Sequence, residues 1–274
     1  MRQIVNDIAR SWRTPLLPGG ELLNAEYYAQ QFAPHWHEGF SIPVIQFGVQ
    51  SYRYRRSMHF AGVGNIAAIN PGEVHTGARA VDTGWAYRAF YPSAEWMQQL
   101  ASAIAGRAVG VPWLPDHVIA DPELAAALAH AHRMLEADVD RLAAETALTA
   151  SFAMLLTRHA GTRPLPDLAR PDALRVSLMQ ARLAHDLCET LSLGELASVV
   201  GLSTFHAARL FSRSVGMPPH AWRNQLRLQR AQALLRQGKS VTEVASATGF
   251  ADQSHFTRHF KRAYGVAPGR WQTV

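Results

Sequence analysis

A segment near the C-terminus reads Ser192-Leu-Gly-Glu-Leu-Ala-Ser-Val-Val-Gly201 and returns 48 residues later as Ser240-Val-Thr-Glu-Val-Ala-Ser-Ala-Thr-Gly249. Each copy begins with Ser-x-x-Glu, in which the serine oxygen accepts from a backbone N–H and the glutamate reaches back to the N–H of the serine. Each copy ends at a glycine, which can adopt the left-handed conformation that closes a helix. The segment therefore predicts two short helices, each followed by a turn.

A second helical run carrying basic residues follows each glycine. The first run contains Arg209-Leu-Phe-Ser-Arg213 and the second contains Arg258-His-Phe-Lys-Arg262. In helical projection Ala208, Phe211 and Val215 form the apolar side of the first run, opposite its arginines. A single basic face is usually only a solvated surface, but two such faces in register with a repeat are typical of paired helix-turn-helix motifs. The repeat predicts two DNA readers in tandem.

The charge of the chain is concentrated in its last third. From Arg170 to the end there are 14 Lys and Arg and 6 Asp and Glu, a net charge of +8, whereas residues 1–169 hold 13 and 15, a net charge of −2. This asymmetry is expected of a nucleic-acid-binding module attached to a domain of another kind.

The run Gly249-Phe-Ala-Asp-Gln-Ser-His-Phe-Thr-Arg-His-Phe-Lys-Arg-Ala-Tyr-Gly-Val-Ala-Pro268, followed by Trp271, resembles the signature of the AraC/XylS family of bacterial transcription regulators. Upstream, the run from Pro219 to Leu235 is similar to the helix that links the two readers in that family. The resemblance implies that both second helices enter successive major-groove segments of double-stranded DNA. It also implies a homodimer, and an effect on DNA occupancy or on contact with RNA polymerase.

The resemblance also assigns roles to individual residues. Base-reading positions fall on Phe205, Ala208, Arg209, Ser254, His255, Thr257 and Arg258, and phosphate contacts are expected from His206, Arg213, Gln253, Lys261 and Arg262. Ala208 departs from the usual polar residue, because its methyl group can touch a thymine methyl but cannot hydrogen-bond, which leaves specificity to Arg209. Two alternatives stay open: Phe205 could cover the linker helix, and His255 could pack locally.

The first part of the chain has the pattern of a β-domain. Short apolar runs, Phe40–Phe47, Ser51–Arg55, Ile66–Ile69 and Trp85–Tyr91, lie between Gly, Pro and Asn, as strands with tight turns do. Closure into a barrel or jelly roll would remove exposed strand edges. The predicted fold class is α+β in two domains, with a β-barrel and helices in residues 1–160, a linker in 161–171 and an all-α tandem helix-turn-helix domain in 172–274.

Two segments, Pro34-His-Trp-His-Glu38 and Asn70-Pro-Gly-Glu-Val-His75, resemble the two motifs of the cupin barrel. The N-terminal region is thus similar to the effector-binding half of AraC-type sensors. The residues predicted to line or border a small-molecule pocket, or else to hold strand ends, are His35, Trp36, His37, His75, Trp85 and Tyr87. The three histidines could instead bind iron, zinc or manganese, but the glutamate that metal-binding cupins place after the His pair is replaced by Ser41 or Ile42.

Residues 121–160 are spaced for one or two amphipathic helices that cover a sheet, and by resemblance these helices form the dimer interface. Three prolines within residues 161–171 predict a stiff linker. No base-plus-nucleophile pattern or phosphate loop is present, so a transcription regulator that is not an enzyme and has no cofactor is predicted. A metal-dependent cupin enzyme is the alternative, and a scaffold protein is a third class.

With 274 residues and 48% hydrophobic content, the chain is long enough for two cores. The first residues lack an apolar signal core and no apolar run is long enough to span a bilayer, so a cytoplasmic location is expected. The single cysteine, Cys188, lies in an apolar helical pattern, which predicts a small buried side chain.

Overall fold

The computed structural model describes residue 4 and residues 6–55, 57–137, 141–161 and 171–271. Its contacts divide the chain into two compact units. The first consists of Met1–Gln31 and Trp36–Pro164, and the second of Leu165–Val274, with which the short strand Phe32–His35 is grouped. Most of the predicted linker, residues 162–170, lies outside the described residues.

A nine-stranded sheet dominates the N-terminal part of the chain. Its strands are β1 (Ile8–Trp12), β2 (Glu21–Tyr27), β3 (Phe32–His35), β4 (Ile42–Tyr54), β5 (Ser57–Gly62), β6 (Ile66–Ala67), β7 (His75–Arg79), β8 (Trp85–Tyr91) and β9 (Val118–Ile119). The hydrogen-bonded order is β1-β2-β8-β4-β6-β9, and β5 and β7 also pair with β4. Among the described residues this order does not return to β1. The sheet is therefore an open, cupin-like jelly roll rather than the fully closed barrel that would remove every edge.

The sequence pattern identified the strand region better than the strand ends. Trp85–Tyr91 is a strand as predicted, whereas the two runs around residues 40–47 and 51–55 belong to the single long strand β4. Within β4 the pairing with β8 shifts between Ile45 and Phe47. The chain turns through Gly48, whose φ is +66°, and a Cβ there would lie 1.9 Å from the carbonyl oxygen of Gly84. Only glycine fits this close approach.

The described residues of the first unit also form three helices, namely α1 (Ala94–Ala105), α2 (Pro122–Glu136) and α3 (Arg141–His159). The last two are the amphipathic helices predicted in residues 121–160, whereas α1 was not predicted. Leu128 of α2 and Phe152 of α3 are fully buried against the outer face of β8, where the rings of Phe90 and Phe152 meet edge to face at 5.2 Å. Burial of these side chains holds the helices on the sheet, each contributing about 1.5–3 kcal/mol.

Within residues 171–271 the second unit contains seven helices: α4 (Pro171–His185), α5 (Leu193–Ser198), α6 (Thr204–Val215), α7 (Pro219–Arg236), α8 (Val241–Ala247), α9 (Gln253–Tyr264) and α10 (Pro268–Trp271). They are arranged as the predicted pair of helix-turn-helix motifs, α5–α6 and α8–α9, joined by α7. Along the described part of the chain, none of the helices combines the length and apolar character needed to cross a lipid bilayer.

Both predicted capping boxes are present. Ser192 and Glu195 exchange hydrogen bonds at the start of α5, and Ser240 and Glu243 do the same at the start of α8. These bonds from serine to the carboxylates lower the pKa of both glutamates below the ordinary value. Gly201 and Gly249 have φ values of +64° and +76°, as the predicted turns require.

The linker helix α7 takes part in the cores of both motifs. Trp222 meets Phe211 of α6 edge to face, with ring centroids 6.0 Å apart. Further along α7, Leu228 and Leu235 are buried with Phe256 and Phe260 of α9. Because one continuous helix is packed into both cores, the two motifs are fixed in relation to each other.

Two arginines of α7 hold the loop between α4 and α5. Arg223, itself buried, donates to the carbonyl oxygens of Asp186 and Glu189 at 2.6 and 2.7 Å, and Arg227 donates to the carbonyl oxygen of Leu187 at 2.9 Å. Cys188 lies in this loop and is exposed, so the prediction that it is buried was wrong. The apolar helical pattern ends with α4 at His185, three residues before the cysteine.

Candidate nucleic-acid interface and effector site

The first reader face lies on α6 and consists of Phe205, His206, Arg209 and Arg213, all of which are exposed. The helix begins at Ser203, whose hydroxyl accepts from the backbone N–H of His206 at 3.3 Å. The guanidinium of Arg209 lies 6.0 Å from the ring centroid of Phe205. The face thus combines a guanidinium, which can donate two hydrogen bonds to guanine, with an aromatic ring beside it.

Phe205 is 64% exposed, so its ring does not cover the linker helix, which was the alternative for this position. Ala207 and Phe211 form the buried side of α6, and Ala208 is only half-buried. The helical projection therefore placed the apolar side one residue too far along at Ala208. The half-buried methyl group of Ala208 remains next to Arg209 at the edge of the reader face.

The second reader face lies on α9, where Gln253, Ser254, Arg258, Lys261 and Arg262 are exposed. Phe256 and Phe260 occupy the opposite, fully buried side. Asp252 caps the helix by accepting from the backbone N–H of His255 at 2.7 Å. The exposed part of α9 thus offers the hydroxyl of Ser254, the amide of Gln253 and, one turn further on, the guanidinium of Arg258.

His255 and Thr257 are half-buried, unlike the rest of the second reader face. The ring of His255 packs edge to face on His259 at 4.6 Å and on Phe250 at 5.6 Å. This arrangement matches the alternative of local packing for His255. Burial lowers the pKa of His259, and the neighbouring His255 and the arginines lower it further. His259 was not among the predicted residues. Its neutral ring packs against the ring of His255.

Gln253 makes a hydrogen bond that the sequence did not predict. Its Oε1 accepts from the hydroxyl of Thr242 on α8 at 2.7 Å, which ties the start of α9 to the preceding helix. The amide nitrogen of Gln253 is the group left for the predicted phosphate contact.

The residues predicted for a small-molecule pocket lie on the N-terminal sheet in two groups. In the first group, His37 packs at 5.2 Å from His75 and at 5.0 Å from Tyr91, measured between ring centroids. His35 is buried, and burial lowers its pKa, while its Nδ1 lies 2.8 Å from the carbonyl oxygen of Ala33. One ring nitrogen from each of the three histidines lies within 4.8 Å of the others, a spacing that suits a transition metal ion.

The second group is aromatic and contains a residue that sequence reasoning missed. Trp85 and Tyr87 are buried on β8, and Tyr27 of β2 packs on them at 5.3 and 6.0 Å between ring centroids. Burial raises the pKa of Tyr27 and of Tyr87 above the ordinary tyrosine value, so both hydroxyl groups stay protonated. Tyr27 could have been found from the sequence, because Leu23, Ala25 and Tyr27 alternate along β2 with polar residues between them. Trp36, the remaining predicted residue, is half-buried and follows β3 directly.

The fold and the two reader faces define a class of protein, a two-domain regulator with a ligand-binding-type sheet domain and a helix-turn-helix DNA-binding domain. The comparisons with known proteins agree. The family model described as AraC-like ligand binding domain matches residues 17–152, and the one described as helix-turn-helix domain matches residues 196–273. The chain belongs to the AraC/XylS family of transcription regulators, as its signature indicated.

Individual relatives support this assignment. The uncharacterized HTH-type transcriptional regulator YbfI of Bacillus subtilis is 25% identical over 226 residues, 82% of either protein. The HTH-type transcriptional regulator MtrA of Neisseria gonorrhoeae is 37% identical over 82 residues, 30% of this chain and 27% of that protein. Among solved structures, apo ToxT K231A from Vibrio cholerae covers the whole chain and 99% of its own, with a TM-score of 0.55 and 11% identity. That likeness concerns the fold.

Proposed function

We propose that the two reader faces bind adjacent major-groove segments of double-stranded DNA, and that a small molecule bound at the N-terminal sheet controls this binding. One observation carries the proposal: two capped helices, α6 and α9, each expose a basic face on a helix-turn-helix, and both are packed on the same linker helix α7. A guanidinium on an exposed recognition helix is the commonest group for reading guanine.

Within this proposal Arg209 and Arg258 read bases, with Phe205 and Ser254 beside them. His206, Arg213, Lys261 and Arg262 contact phosphates, and so does the amide of Gln253. Phosphate contacts fix the register of the protein on DNA without reading its sequence. His255 and Thr257, being half-buried, contribute less to base reading than their positions in the family signature suggest.

The effector part of the proposal is supported by the buried aromatic group of Tyr27, Trp85 and Tyr87 on the sheet. A structure of wild-type ToxT from Vibrio cholerae, which shares the fold, holds an unsaturated fatty acid. A ligand controls DNA binding if it favours one arrangement of the protein over another by about 1–3 kcal/mol. We further propose that the regulator acts as a homodimer and changes transcription by its occupancy or by contact with RNA polymerase.

A metal-dependent enzyme is the second candidate, and the spacing of the three histidine nitrogens favours it. The group contains no carboxylate among the described residues, which leaves an all-imidazole set. Elemental analysis of the purified protein separates the two: stoichiometric zinc, iron or manganese that disappears in a His35/His37/His75 triple variant would support metal chemistry. We expect less than stoichiometric metal, because transcription regulation requires none.

The DNA-binding proposal is tested by selecting genomic DNA fragments with the full-length protein at about 150 mM salt, where nonspecific binding is weak. We expect a shared motif made of two sub-sites. On that motif Arg209→Ala and Arg258→Ala should each cost about 1–3 kcal/mol and relax the sequence preference at one sub-site. Arg230→Ala, which removes an exposed arginine of α7, is the matched control. If all three variants bind alike, the reader faces are wrongly assigned.

A further inference from the structure

The strand register and one ring contact bring three polar side chains of the N-terminal sheet into the same region. Gln50 of β4 is opposite Arg79 of β7, and Gly48 of β4 is opposite Trp85 of β8. Residues directly opposed in an antiparallel ladder point to the same face. Gln50 and Arg79 therefore share one face, and Trp85 shares a face with Tyr27, which is opposite it on the other side. Arg79 contacts the ring of Tyr28, the residue after Tyr27, so the two pairs meet at the same end of β2.

Each of these three side chains has a buried polar atom that finds no hydrogen-bond partner within the described part of the protein, namely Gln50 Oε1, Arg79 Nη1 and Trp85 Nε1. Gln50 is 8% exposed and Trp85 is fully buried. Leaving a buried donor or acceptor unpaired is unfavourable, because the group has given up its hydrogen bonds to water. Three such atoms in this region, two of them donors, indicate that a bound molecule supplies the missing partners.

The guanidinium of Arg79 is held in place although it has no acidic partner among the described residues. Its Cζ lies 4.3 Å from the centroid of the Tyr28 ring, a cation–π contact that orients the guanidinium plane. Because a partly buried guanidinium stays charged, the partner that suits it is an anion. The flat fork of its N–H groups matches the two oxygens of a carboxylate.

We propose that Arg79, Trp85 and Gln50 form a subsite for the carboxylate of an organic acid. The carboxylate accepts from Arg79 and from the indole of Trp85, and Gln50 accepts from a donor group elsewhere on the ligand. The apolar body of the acid packs against Tyr27 and Tyr87. This inference rests on the proposed control by an effector, and it assigns the effector to the monocarboxylic acids.

The test measures binding to the full-length protein by calorimetry. The probes are aliphatic and aromatic monocarboxylates of 2–18 carbons, each paired with its uncharged primary amide, and phenyl phosphate as a different anion. We expect at least one acid to bind at least about 10-fold more tightly than its amide. Arg79→Gln should lower the affinity for that acid about 10- to 100-fold and bring the ratio of the acid and amide affinities close to one.

Arg53→Gln is the matched control, because Arg53 is an exposed arginine of β4 on the opposite face from Gln50. It should leave the acid affinity unchanged. Gln50→Glu keeps the size of the side chain and adds a negative charge. It should therefore lower the affinity for the acid at least about 10-fold and leave the affinity for the amide unchanged. This second variant keeps the test valid if Arg79→Gln does not fold.

The subsite is overturned if no acid in the panel binds, if acids and amides bind equally, if phenyl phosphate binds more tightly than every acid, or if Arg79→Gln binds the acid normally. DNA binding is measured in parallel. Selective DNA binding that responds to an uncharged molecule, with no effect of Arg79→Gln, would retain the proposed function and refute only the carboxylate subsite. Acid binding without selective DNA binding would support the carboxylate subsite and refute the proposed function as a DNA-binding transcription regulator.

Discussion

His132 shows how one buried residue can connect the sheet to a covering helix. It is fully buried on α2, and its ring meets Trp12 at 5.0 Å and Phe90 at 5.1 Å. Its Nδ1 lies 3.1 Å from Nη1 of Arg88, which also pairs with Glu136. Since a guanidinium can only donate, Nδ1 is the acceptor and the ring proton is on Nε2.

This arrangement makes the stability of the first unit depend on pH. Burial, and then the charge of Arg88, lowers the pKa of His132 from 6.5 to about 4. Between these two values the unfolded chain takes up a proton that the folded chain excludes. The contribution of His132 to the free energy of unfolding is therefore fully present above about pH 6.5. It decreases by up to about 3 kcal/mol as the pH drops towards 4.

Urea denaturation at several pH values between 7.5 and 4.5 tests this dependence. His132→Gln removes the titration while keeping an acceptor for Arg88, so its stability should change less over this range than that of the wild type. His130→Gln changes an exposed histidine of the same helix and should follow the wild type. Equal pH dependence in all three proteins would show that another group is responsible.

At the scale of the element, the two turn glycines are a natural pair for comparison. Both have positive φ, but a Cβ on Gly201 would meet nothing within 4 Å, whereas one on Gly249 would lie 2.5 Å from the carbonyl oxygen of Leu187. That carbonyl is fixed by Arg227 at 2.9 Å and cannot easily move. The second turn therefore needs glycine for space as well as for its backbone conformation.

Gly201→Ala should destabilise its motif by about 1 kcal/mol, the cost of the left-handed conformation alone. Gly249→Ala should cost about 3 kcal/mol or more, because overpacking is added to the same backbone strain. Hydrogen exchange of the amides in α5–α6 and α8–α9 reports the two local opening free energies separately. A similar decrease of the opening free energy in both variants would mean that the loop at Leu187 moves to make room for the added methyl group.

The repeated segment made the helices of the second unit predictable, because capping boxes and turn glycines are local signals in the chain. The strand ends were less predictable, since β4 continues through a change of register that depends on its neighbour β8. The residues predicted to read DNA were selected because they follow the repeat, and their roles stay predictions. Gln50 and Arg79 were missed, because their pairing is set by a ladder between strands that are distant in sequence.

On the scale of the whole molecule, the positive charge that attracts DNA is concentrated in the C-terminal part of the chain. Residues 170–274 carry a net charge of +8 and residues 1–169 carry −2. Attraction to DNA therefore comes from the second unit, and the first unit contributes little to it. The affinity for specific DNA depends in addition on whether both readers can reach their sub-sites at once.

The packing of α7 into both motif cores makes that geometry rigid. A rigid spacer gains the benefit of two linked contacts only when the distance between the sub-sites matches it. Inserting 5 base pairs between the two sub-sites of the selected motif should therefore reduce the affinity at least about 100-fold, to that of a single sub-site.

Competition binding with three DNA duplexes checks this expectation. An insertion of 10 base pairs restores the helical face but not the distance, so it should bind as poorly as the insertion of 5. The same 5 base pairs placed outside the motif are the control and should leave binding unchanged. If the insertion of 10 base pairs recovers the original affinity, then α7 bends or unwinds on DNA and the two readers act as flexibly joined units.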